Sequence, residues 1–162
     1  MNYTKCWLDY KPLAKDKIRP CYLNPVLLAS GEIAQTIAEE YKTAMSVMLG
    51  ETVEMSYEVL EEPSVFMQIQ KEYEFPDEKG KGHSTEVLNQ AFVIYEEEES
   101  VVITGRTETA VLQGVFAFLR MVALDNLSEK MPYYCIPSMP FRMMNHWDDM
   151  DGSIERGYSG RS

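Results

Sequence analysis

Residues 143–162 read Met-Met-Asn-His-Trp-Asp-Asp-Met-Asp-Gly-Ser-Ile-Glu-Arg-Gly-Tyr-Ser-Gly-Arg-Ser. Past Trp147 the segment has no apolar periodicity, so it is neither a core helix nor a half-buried strand. It is a polar, aromatic and basic stretch broken by Gly152, Gly157 and Gly160. Loops of this composition at the end of a hydrophobic strand often carry binding sites. Trp147, between His146 and Asp148, has the ring to stack on a sugar while its neighbours bond hydroxyls. A buried core tryptophan fits the same composition equally well. Arg156 and Arg161 have planar forks suited to a carboxylate. They suit structural pairing with Asp148, Asp151 or Glu155 as well, and spacing alone favours that role.

Other chemistries fail on spacing. Asp148, Asp149 and Asp151 precede Gly152, but an EF-hand register with Gly152 at position six puts Trp147 at one and Tyr158 at twelve. The two histidines, His83 and His146, are far apart with no cysteine pair beside either, so no zinc motif exists. No metal site and no cofactor are expected. There is no Gly-x-Ser-x-Gly elbow, and Gly80-Lys-Gly82 is not a Walker loop. Gly105-Arg-Thr-Glu-Thr-Ala110 follows a strand and opens a helix, a junction able to hold an anion. It lacks the later glycines of a dinucleotide fingerprint and reads as a plain strand-to-helix turn.

The net charge is −11. Residues 51–100 hold three basic and fourteen acidic side chains, while the flanking thirds are nearly balanced. An acidic middle repels phosphate backbones, which argues against nucleic acid as a partner. No apolar run reaches the roughly 18 residues of a membrane span. No secretory signal is visible after Met1, and Cys6, Cys21 and Cys135 are odd in number and widely spaced. Both features predict a cytoplasmic protein with reduced thiols. At 162 residues, there is room for one domain with a sizeable core.

The elements that must position the terminal loop follow from periodicity. Cys6–Tyr10 reads as a short strand, and Pro12, Pro20 and Pro25 mark a connector. Ile33, Ile37, Tyr41, Ala44 and Met48 make one apolar helical face, with Ser30 as a cap and Gly50 as the stop. Val53–Val59 alternates like a half-exposed strand, and Val65–Ile69 forms another. Residues 71–86 read as a loop. Ala91–Tyr95 and Val101–Thr104 form a hairpin around Glu96–Glu99. Thr107 or Thr109 caps a second helix to about Leu124, with Val111, Val115, Phe118, Leu119 and Val122 on one side. Gly114 inside that helix costs about 1 kcal/mol against alanine, which predicts close approach to the sheet. Residues 125–138 connect to a strand over Pro140–Met144. The order predicts an α+β fold, a mostly antiparallel sheet with helices packed on one face.

The stretch Phe141-Arg-Met-Met-Asn-His-Trp-Asp-Asp-Met-Asp-Gly-Ser-Ile-Glu-Arg-Gly-Tyr-Ser-Gly-Arg-Ser162 closely resembles the segment opening the catalytic barrel of xylan-degrading α-glucuronidases, glycoside hydrolase family 67. Trp7-Leu-Asp-Tyr10, and Ile103-Thr-Gly-Arg-Thr107 leading into Gly114-Val-Phe-Ala-Phe-Leu-Arg120, resemble earlier parts of the family in the same order. The resemblance implies an N-terminal α/β domain over 1–138 and the first strand and loop of a truncated (β/α)8 barrel over 139–162. It implies inverting removal of glucuronic acid, or its 4-O-methyl form, from substituted xylo-oligosaccharides. The full protein would be a homodimer through a C-terminal region. Catalytic carboxylates would come from later barrel strands, so no catalytic residue is assigned in this chain, and these 162 residues alone would be inactive. Trp147 matches the family's pocket tryptophan, and His146, Asp148, Arg156 and Arg161 match the same motif as substrate-binding candidates. The alternative is a non-catalytic carbohydrate-binding or interaction module of the same fold.

Overall fold

A computed structural model describes residues 10–76 and 81–139. The regular elements are β1 (Pro25–Leu28), α1 (Ala34–Leu49), β2 (Val65–Ile69), α2 (Thr85–Leu88), β3 (Phe92–Glu97), β4 (Ser100–Gly105), α3 (Glu108–Ala123) and β5 (Tyr133–Cys135). Single 3-10 turns at Lys15–Lys17, Pro20–Leu23 and Ser128–Lys130 bracket the ends.

The five strands form one sheet in the order β1-β2-β4-β3-β5. This corrects the expectation of a mostly antiparallel sheet. β1 and β2 run parallel, as do β2 and β4, while β3 is antiparallel to both β4 and β5. Parallel neighbours need a crossover, and α1 supplies it between β1 and β2. The class is therefore mixed α/β. The hairpin β3–β4 formed as expected, in register from Phe92↔Gly105 to Glu97↔Ser100.

Helices α1 and α3 pack on each other and, with the sheet, enclose the main core, again as expected. Strand alternation sends Leu27, Met67, Ile103 and Ile94 to that face. Tyr41 and Phe118 stack between the helices with ring centroids 6.1 Å apart. The opposite face carries a smaller cluster of Phe75, Ala91 and Val93, flanked by Tyr73, Tyr95 and Tyr134.

Three local readings change. Val53–Val59 is not a strand: only Ser56 bridges to β1, at Val26. The Ser56 hydroxyl donates to Glu58 O at 2.9 Å and accepts from Glu58 N at 3.2 Å, a local turn that competes with the ladder. Tyr57 and Val59 beyond it are exposed. Strand β1 lay inside what reads as a proline-marked connector. Pro25 is its first residue and β1 is an edge strand, the two places a sheet accepts proline. The 71–86 stretch ends in the one-turn helix α2, whose Ser84 accepts from Val87 N at 3.4 Å.

The two long helices differ in how they begin. Thr107 caps α3, as read from sequence, by accepting from Ala110 N at 3.2 Å. Helix α1 is not capped by Ser30. Its N-cap position is Ile33, which has no capping side chain. The Glu108 carboxylate does the work instead, accepting from Gly31 N at 2.6 Å and Ile33 N at 3.2 Å. A negative group at a helix N-terminus satisfies orphan donors and opposes the dipole. A Cβ on Gly31 would overlap that carboxylate. We expect Glu108→Ala to cost about 1–2 kcal/mol in urea unfolding, the scale of a lost cap, with Glu108→Gln in between. An unchanged midpoint for Glu108→Ala would show that the cap contributes nothing.

Candidate functional site

His146, Trp147, Asp148, Arg156 and Arg161 lie outside the described residues, as do the expected strand at Pro140–Met144 and all of the expected strand at Cys6–Tyr10 except Tyr10. The structure therefore fixes what precedes the candidate loop. The path toward it leaves the sheet through β5, an edge strand held to β3 by the pairs Ile94↔Tyr133 to Phe92↔Cys135. Tyr134 and Ile136 pack on the smaller cluster, and Tyr133 packs on the main core.

The Gly105–Ala110 junction is built from protein contacts. An added Cβ on Gly105 would lie 2.7 Å from Ala110 Cβ and 3.0 Å from Ala91 O, so glycine is needed for the close strand–helix approach. Arg106 Nε donates to Tyr73 O at 2.9 Å, and Thr107 Oγ1 donates to Asn89 O at 2.6 Å. Glu108 puts a carboxylate in the first turn of α3. The side chains of the junction are thus engaged by the protein itself, and Thr107 Oγ1 accepts from Ala110 N in the first turn, in keeping with a structural turn.

A groove of about 350 Å³ lies between the turns around Asp16–Tyr22 and the end of α3 with its following turn, Met121–Glu129. Lys17 pairs with Asp125 at 2.8 Å, and Arg19 Nη1 with Glu96 at 2.5 Å. Nothing in the sequence flagged this groove, because its walls are about a hundred residues apart and neither carries a motif. Among the described residues, no three His, Cys, Asp or Glu side chains lie together as a metal site would require. No described helix is long and apolar enough to cross a membrane.

Burial governs the shifted thiol and phenols nearby. Burial raises the Cys21 thiol, opposed by Arg19, so it is not an activated nucleophile. Burial pushes the Tyr22 phenol up to about 12, again opposed by Arg19. An unfolded tyrosine ionises near 10, so between about pH 10 and pH 12 the unfolded chain releases this proton and the folded one keeps it. Stability is full below pH 10 and falls as pH rises through that window. Tyr41, wholly buried with its hydroxyl donating to Tyr22 O at 3.0 Å, acts in the same direction. We expect Tyr22→Phe to make the alkaline loss of melting temperature shallower; an identical alkaline limb would contradict the assignment.

Comparison with known proteins gives two adjoining family matches. Residues 6–118 match the family model described as "Glycosyl hydrolase family 67 N-terminus", and residues 121–162 match the "Glycosyl hydrolase family 67 middle domain". A "Probable alpha-glucuronidase A" of Aspergillus terreus is 30% identical over 166 residues, covering 96% of this chain and 19% of the relative. "Alpha-glucuronidase A" of Emericella nidulans is 29% identical over 167 residues, covering 96% and 20%. A "Probable alpha-glucuronidase A" of Aspergillus fumigatus is 48% identical over 65 residues, covering 40% and 8%. The chain therefore spans about a fifth or less of the length of the curated relatives it matches.

Proposed function

Because the chain belongs to glycosyl hydrolase family 67, we propose that it forms part of an inverting α-glucuronidase acting in xylan breakdown. The substrate is a xylo-oligosaccharide carrying glucuronic or 4-O-methylglucuronic acid. The observation that carries this reading is the tandem match of two family segments, in the family's order, over residues 6–162. The names of the relatives aligned over 96% of the chain support the same activity.

In this reading residues 1–138 are the α/β domain and residues 139–162 begin the catalytic barrel. Trp147 stacks on the uronic acid ring, and His146 and Asp148 bond its hydroxyls. Arg156 and Arg161 face the sugar carboxylate, where a planar fork gives two parallel charge-assisted bonds. Inversion needs an acid on the leaving oxygen and a base on water, roughly 6.5–9.5 Å apart. Both carboxylates are assigned to family sequence outside these 162 residues. A reducing, cytoplasmic setting suits Cys21 and Cys135, which are both free.

The test is release of glucuronic acid from an aldouronic acid. A protein carrying the complete family sequence is expected to release it, and the 162-residue chain is expected to release none. Turnover by the 162-residue chain would overturn the placement of the acid and base, and no turnover by the complete protein would overturn the activity.

A further inference from the structure

We draw no further inference here: the strongest candidate, the half-buried patch of Tyr73, Tyr95 and Tyr134 on the sheet face opposite α1 and α3, carries nothing because nothing in the structure shows what covers it.

Discussion

Gly114→Leu is expected to destabilise the fold by about 3 kcal/mol or more. A Cβ at Gly114 would come 2.6 Å from Ile103 Cγ2 and 3.3 Å from Phe92 Cδ2. Both neighbours belong to the main core, and Ile103 is wholly buried at the centre of the sheet. The backbone of α3 already rests directly on β4 and β3, so a leucine has nowhere to go without moving the helix. Overpacking of this kind costs about 1–3 kcal/mol, and more when backbone must shift. Gly114→Ala is a sharper case. It gains about 1 kcal/mol in helix propensity, yet its Cβ meets the same methyl. We expect a net loss of about 1 kcal/mol. Pairing Gly114→Leu with Ile103→Ala should cost less than the sum of the two changes, because the second removes the obstructing methyl. Urea unfolding of the four proteins checks this. A Gly114→Leu protein as stable as the parent would mean that α3 does not lie where the structure puts it.

In a protein carrying the complete family sequence, Trp147→Ala is expected to lower kcat/KM on aldouronic acids about 100-fold. The proposed ring-on-sugar contact buries a large aromatic face, whose loss is worth about 2–3 kcal/mol, and each 1.36 kcal/mol is a factor of ten. Trp147→Phe keeps a smaller face and should lose about tenfold. If the ring binds the sugar equally in ground and transition states, the loss falls on KM. A loss confined to kcat would mean that it matters only as the bond breaks. Activity within twofold of the parent would return Trp147 to the alternative left open by its composition, a tryptophan that only packs.

Periodicity exposed the elements that depend on local sequence. The apolar faces of α1 and α3, the β3–β4 hairpin and β2 were legible, because repeats of 3.6 and 2 are written in consecutive residues. Gly50 was legible as a stop because a left-handed residue, here with φ 74°, favours glycine. Gly114 was legible because glycine inside a strong helical face needs a packing reason. What escaped depends on distant partners. Strand β1 hides behind Pro25, and β5 is three residues long. Parallel pairing of β2 with β4 skips over β3 in the chain, so no turn signal announces it. The α1 cap comes from Glu108, 77 residues from Gly31. Val53–Val59 had the right alternation and still failed, because Ser56 bonds its own neighbour. The candidate loop rests on a different kind of signal. Its irregular residue string resembles one family, and that resemblance, rather than periodicity, singled out His146, Trp147, Asp148, Arg156 and Arg161.

The proposed function places an acid and a base on opposite faces of the uronic acid, with this chain forming one wall of the pocket. Proton NMR of the first turnovers of an aldouronic acid by the complete protein tests it most directly. Under inversion, β-glucuronic acid is expected to appear first and then mutarotate to the equilibrium mixture. Initial appearance of the α-anomer, or no released uronic acid at all, would contradict it.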